Sequence, residues 1–196
     1  MTPARTGRHD REHIVGVALE LLDRYGLPDL TMRRLATELD VQPSALYWHF
    51  SNKQDLLAAI ADRILARIPQ NIASSRPEAP LFAAARSVRD ALLAYRDGAE
   101  VVLSSAALRP TSTRAHEVLS ASLRADGIAA ADVAAAAVLQ FILGHASLVQ
   151  QRMHGESYGA AAPTPGDAVP DDSAEVFEAG IGMLSRGAAA PVSSRG

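Results

Sequence analysis

The chain has 196 residues, 48% of them hydrophobic and 21% charged, with a net charge of −3 and no cysteine. That size and balance fit one or two globular domains with a real core, and the lack of cysteine excludes disulfides, thiol catalysis and Cys-type zinc sites. No run reaches the roughly 18 uninterrupted apolar residues of a membrane span. The polar start MTPARTGRHDREH predicts no secretory signal, so a cytoplasmic protein without a membrane partner is expected.

Alanine is plentiful and aromatics are few, which favours helix over strand. From His9 to Tyr25 the apolar residues Ile14, Val17, Ala18, Leu21, Leu22 and Tyr25 fall on one helical stripe. Gly26 suits the position after the helix end, and Pro28 keeps the helix from resuming. Thr31 is a good N-cap for a short helix from Met32 to Leu39. Asp40 and Val41 make a turn, and Pro43 fits the first position of a third short helix. Ser51 to Gln54 has the S-x-x-Q form of a capping box, which starts a fourth helix near Asn52 that Pro69 ends.

The polar stretch Asn71 to Pro80 is the expected joint between two domains. Beyond it, helices are expected over Leu81–Tyr95, Ser112–Ala125, Ala131–His154 and Asp172–Leu184, with a short apolar segment at Val101–Leu108. Gly155 to Pro170 should be a loop and 188–196 a tail. No period-2 alternation competes, so the expected fold is all-α. It divides into an N-terminal helix-turn-helix domain (1–52), a connecting helix (53–70) and a helical ligand-binding and dimerisation domain (71–187).

The stretch LTMRRLATELDVQPSALYWHFSNKQDLL, Leu30 to Leu57, has the layout of a DNA-reading helix-turn-helix. The N-terminal residues of the second helix, Gln42, Pro43, Ser44 and Ala45, would meet base edges. Gln pairs with adenine, while Ala and the Pro ring can touch a thymine methyl. Tyr47, His49 and Lys53 are spaced to meet phosphates, Thr31 starts the preceding helix, and Arg33 there could reach a guanine or a phosphate. Leu46, Trp48 and Phe50 are expected in the core. Cations and acids balance over Met1–Lys53, so DNA affinity must come from local placement of cations and not from a basic domain.

On these residues the chain resembles the TetR family of transcriptional regulators. The resemblance rests on Ala18-Leu19-Glu20-Leu21-Leu22 to Tyr25-Gly26-Leu27, on Leu30-Thr31-Met32-Arg33-Arg34-Leu35-Ala36 and Leu39-Asp40-Val41, and above all on Ala45 to Phe50 with Asn52-Lys53 and Leu56-Leu57. Tyr47-Trp48-His49 points to the branch with the tetracycline repressors. Ala91-Leu92-Leu93, Arg96-Asp97-Gly98-Ala99, Arg109-Pro110 and Leu143-Gly144 echo that branch. The resemblance implies a homodimeric repressor that binds a palindromic double-stranded operator and lets go when a small-molecule inducer occupies its larger domain. Asp40 stands where the family usually has Gly, and Asp tolerates positive φ better than most residues. The magnesium-binding His of the tetracycline repressors falls on Val102, and the Asn and Gln that grip tetracycline fall on or near Ala84 and Ser122. Neither tetracycline nor magnesium is therefore carried over.

The ligand candidates are Tyr95, Arg96, Val102, Phe141 and His145. They belong to a set of polar and aromatic residues (with His116, Gln140, Gln150, Gln151 and His154) that punctuate apolar helices and could line a mostly apolar pocket. Taken singly, each of the polar ones reads better as a surface or satisfied core group. His9 and His13 have the i, i+4 spacing of a helical zinc site, but a solvated first helical turn explains them better, with Arg8 or His9 near a phosphate. No metal, cofactor or catalytic residue is expected. The alternatives are an all-α ligand-binding or interaction protein with a purely structural helix-turn-helix, and, least supported, a hydrolase or metalloenzyme.

Overall fold

The computed structural model describes residues 10–70, 72, 80–108, 113–157 and 173–189. Arg8 and His9, Asn71 and 73–79 of the joint, Arg109-Pro110, the loop from 158, Asp172 and the tail from 190 lie outside the described residues. The elements are α1 Arg11–Tyr25, α2 Met32–Glu38, α3 Pro43–Leu46, α4 Lys53–Leu65, α5 Pro80–Leu93, α6 Gly98–Leu108, α7 Thr113–Ala125, α8 Ala131–Ser157 and α9 Ser173–Ala189. No strand occurs among the described residues, and the fold is all-α.

Local chemistry fixes the first helices. Asp10 caps α1 by accepting from His13 N at 2.7 Å, and Thr31 caps α2 by accepting from Arg34 N at 3.1 Å. Each satisfies one of the N–H groups that a helix start leaves unpaired. Gly26 closes α1 at φ +85°, and a Cβ there would come 2.9 Å from Asp97 Oδ2. Backbone conformation and close approach therefore both require glycine. Asp40 takes the turn at φ +53°. The cap of α4 is shifted by one residue from the expected Ser51–Gln54 box. Asn52 is the cap, accepting from Asp55 N at 2.9 Å, and Asp55 reaches back to Ser51 N and Oγ at 3.2 and 3.0 Å.

Helices α1 to α4 share a core in which Ile14, Leu22, Leu35, Leu46, Phe50 and Ile60 are fully buried. These four helices form the N-terminal head. Helix α4 then leaves the head and packs along α6, while α5, α7, α8 and α9 assemble around Val88, Leu119, Ile142 and Phe177. A bidentate Arg86–Glu178 pair, 2.7 and 2.9 Å, ties α5 to α9. Asp132 receives Ser120 Oγ at 2.6 Å and an Arg124 guanidinium N at 2.7 Å, which ties α7 to the start of α8.

Several expectations need correction. Trp48 is 89% exposed, not core. At about 100° per residue, Phe50 returns to the face of Leu46, whereas Trp48 lies about 200° round from it. Tyr25, at the end of the α1 stripe, is 36% exposed beneath the guanidinium of Arg34, 3.7 Å from its ring centre. Helix α8 runs on to Ser157 and α9 to Ala189, into the stretches expected as loop and tail. Over Ala131–Gly155, α8 is long and apolar enough to cross a membrane by length and composition, although Gln140 and His145 interrupt its apolar run. Here it packs against α5, α6, α7 and α9.

Candidate nucleic-acid interface

The surface around α2 and α3 follows from how the core residues pin these short helices. Leu35 and Ala36 fix α2, and Leu46 and Phe50 fix α3 and its exit turn. What remains outside is Thr31, Arg33, Gln42, Pro43, Ser44, Tyr47, Trp48 and His49, all exposed, with Ala45 and Lys53 half-buried. The two neighbouring arginines have different roles. Arg34 pairs with Asp29 at 2.7 Å and lies over the Tyr25 ring. Hydrogen bonds from Arg24 and then Arg34 hold the Tyr25 phenol below its usual range, and the hydrogen bond to Tyr25 raises that of the Arg24 guanidinium. Arg33 is exposed, and its guanidinium makes no hydrogen bond or ion pair to another described residue. Thr31 is already engaged as a cap.

Arg11 supports this surface from beneath. Its guanidinium lies 4.2 Å from the centre of the Phe50 ring and donates to the carbonyl of His49. That contact fixes the backbone leading to the exposed His49 side chain. Arginine, glutamine, tyrosine, tryptophan and histidine exposed on and beside α2 and α3 can supply donors for phosphates, an edge for bases and flat apolar area. Trp48 is the member of this set that residue-type reasoning missed; the angular offset from Leu46 was the available signal.

A family model described as bacterial regulatory proteins, tetR family, matches residues 14–60, and one described as tetracyclin repressor-like, C-terminal domain, matches residues 77–184. The chain belongs to the tetR family. It is a transcriptional regulator with a helix-turn-helix DNA-binding segment. The class D tetracycline repressor of Escherichia coli is 34% identical over 202 residues, covering 92% of this chain and 89% of that protein. The class A repressor from transposon 1721 of Escherichia coli is 48% identical over 94 residues, 45% of this chain and 42% of that protein. Among solved structures, BioQ of Mycobacterium smegmatis is similar at TM-score 0.79 and 38% identity, over 92% of this chain and 98% of that one. A structure of BioQ with its double-stranded DNA operator is similar at TM-score 0.76 and 36% identity, over 93% and 99%. A TetR variant from Acinetobacter baumannii AYE in complex with minocycline gives TM-score 0.70 and 33% identity, over 91% and 96%.

In this TetR-family chain the expected ligand residues fall at separate places among the described residues. Val102 is 1% exposed on α6 and offers no metal-ligating atom. Phe141 and His145 of α8 pack with Phe177 of α9, at ring-centre distances of 6.2 and 5.2 Å from it, and His145 Nε2 meets the Ser173 carbonyl at 2.7 Å. Tyr95 and Arg96 sit in the turn between α5 and α6, where they line a cavity of about 300 Å³ with Asp23, Leu93, Ala94, Gln150, Met153 and His154. Gln150 was legible only as a polar residue in an apolar helix. Its buried amide accepts from Ala99 N at 3.1 Å and donates to Leu92 O and Tyr95 O at 3.3 and 2.8 Å, fixing that turn from α8. His116 Nε2 meets the Asp132 carbonyl at 3.0 Å, a satisfied polar group.

Proposed function

We propose that this regulator is a homodimeric repressor that binds a palindromic operator through the α2–α3 face and is released by a small-molecule inducer. The observation that carries this reading is that exposed surface itself. Arg33, Gln42, Tyr47, Trp48 and His49 are exposed together, and Trp48 is the most exposed large hydrophobic residue among those described. An indole with its flat area in water is a liability unless a partner covers it. On this reading Gln42, Pro43, Ser44 and Ala45 face base edges. Arg33, Tyr47, His49 and Lys53 meet phosphates, and Thr31 holds α2 in place. The division into a DNA-binding region to residue 52, a connecting helix to 70 and an effector region beyond is proposed with it.

Two-fold assembly is supported by α8 and α9. Positions 133, 137, 140, 144, 148 and 151 are exposed at three- and four-residue spacing along α8 as Val, Ala, Gln, Gly, Leu and Gln, and 176, 179 and 183 are exposed at the same spacing on α9 as Val, Ala and Met. An apolar stripe at three- and four-residue spacing is the form of a helix-packing seam. A two-fold protein matches a two-fold operator. The relative solved with its operator and the relative solved with minocycline support the DNA and inducer parts of the reading.

The test is a gel-shift titration on the intergenic DNA beside the protein's own gene. The expected result is one specific band whose affinity falls steeply as salt rises. Arg33→Ala should weaken binding about 10-fold or more. The absence of any specific, salt-sensitive band would sink the reading.

A further inference from the structure

The N-terminal head touches the effector region at the turn between α5 and α6. Asp97 in that turn, at φ +56°, accepts Leu27 N at 2.7 Å, and Asp23 of α1 accepts Arg96 N at 3.1 Å. Beside these two bonds lies the cavity of about 300 Å³ lined by Asp23, Leu93, Ala94, Tyr95, Arg96, Gln150, Met153 and His154. One wall belongs to the head (Asp23), one to the turn, and one to α8. Its floor is rigid, because the Gln150 amide is saturated by three backbone partners. The volume lies at the lower end of small-ligand sites. The similarly large groove between α1 and α4 is spanned by the Arg63–Glu12 pair at 3.2 Å, and the notch beside His145 holds only about 70 Å³.

We propose that this joint cavity binds a small planar aromatic molecule carrying both an N–H donor and a carboxylate or carbonyl acceptor, and that its occupancy weakens operator binding. The lining dictates the class. The Tyr95 ring, Leu93 and the Met153 thioether supply apolar walls for a flat body. The Asp23 carboxylate and Nε2 of the His154 imidazole accept ligand N–H groups, and the Arg96 guanidinium donates to a ligand oxygen. His154 is held by Asp97, with Nδ1 3.3 Å from Oδ1, which leaves Nε2 as the nitrogen available to a ligand. A molecule touching Asp23 and α8 at once makes its contacts in one head orientation and loses them in others, which is the condition for shifting an equilibrium between orientations. Docking two heads on two half-sites needs them to adopt the spacing of the operator, and a filled joint opposes that adjustment. The regulatory half of this proposal rests on the repressor reading. The binding half does not.

The probe is 2-aminobenzoate, a fluorescent ring with an amine and a carboxylate, added to the full chain. Its emission should shift saturably with the wild type, and the shift should be lost in Ala94→Trp and in Met153→Trp. These place an indole at the cavity from opposite walls at exposed positions. In a gel shift the probe should lower wild-type operator affinity about 5-fold or more and leave both variants unaffected. Probe binding that is absent from the wild type, or undiminished in whichever variants keep the wild-type helical signal, would overturn the proposal. So would binding that leaves operator affinity unchanged or raises it. A wild type that binds no operator defeats the repressor reading instead, and the fluorescence titration still decides the cavity.

Discussion

Asp97 accepts the backbone N–H of Leu27 at 2.7 Å across 70 positions of sequence, joining the turn between α5 and α6 to the loop that follows α1. The same carboxylate stands 3.3 Å from His154 of α8. One side chain therefore links the N-terminal head, the turn and the longest helix. It does so from a left-handed backbone, φ +56°, that Asp and Asn tolerate better than Ala.

Asp97→Ala should destabilise the protein by about 1–3 kcal/mol, because it leaves a part-buried N–H without its acceptor and strains a positive-φ position. Asp97→Asn keeps an acceptor and tolerates the same φ, so it should recover most of that loss. Urea midpoints at fixed pH separate the two. Equal midpoints for the Ala and Asn variants would show that the bond to Leu27 contributes nothing.

Trp48→Ala should leave the thermal midpoint almost where it is, since an 89% exposed side chain contributes little packing. Operator affinity should fall by about 1.5–3 kcal/mol, the range for a large apolar side chain whose burial against a partner is lost. Leu46→Ala, two residues away and 1% exposed, should do the reverse first and lose about 2–5 kcal/mol of stability. A Trp48→Ala variant with full operator affinity would remove the indole from the interface.

The contrast between Leu46 and Trp48 also shows how far the chain can be read without coordinates. Periodic stripes place α1, α4, α5 and α8, because burying one face is a local, repeated demand. The turns at Gly26 and Asp40 follow from residue type, and both take positive φ. Trp48 fails that approach because hydrophobicity alone puts it inside, while the helical angle puts it out. The joint fails it for a different reason. Arg96-Asp97-Gly98 reads as a break in the chain, but its hydrogen bonds go to Asp23 and Leu27, and no periodicity encodes a partner that distant. The same holds for Gln150, whose three partners, Leu92, Tyr95 and Ala99, lie in and on either side of the α5–α6 turn.

Gly180 on α9 faces Phe141 on α8 so closely that a Cβ would come 2.2 Å from Cζ of the ring. Phe141 is flanked by Phe177 and His145 at 6.2 and 6.1 Å between ring centres, so the ring has little room to swing away. Gly180→Ala should therefore destabilise by about 1–3 kcal/mol from overpacking, although alanine in a helix by itself favours folding by up to about 1 kcal/mol. In a Phe141→Leu background the clash is relieved and the same substitution should become neutral or stabilising. A double-mutant cycle in urea reads the sign change directly; additive effects would mean that the two helices do not meet there.

Asp132 supplies a pH test of the seam between α7 and α8. The hydroxyl of Ser120 and then the guanidinium of Arg124 hold its carboxyl below the ordinary carboxylate range. A pKa lowered by folding means that the ionised form is preferred by the native state. The stabilisation is then complete above the unfolded pKa and is lost as pH falls through the folded one. Asp132→Asn removes the titrating group while leaving the backbone carbonyl that meets His116. The difference in urea midpoint between wild type and Asp132→Asn should stay level from about pH 6 to just above the ordinary Asp value near 3.9, then shrink towards about pH 3. Ser120→Ala should shift that decline towards higher pH, since the hydroxyl that does most to lower the value is gone. A difference that stays constant through the whole range would mean that Asp132 holds α7 to α8 no better as an anion than as a neutral acid.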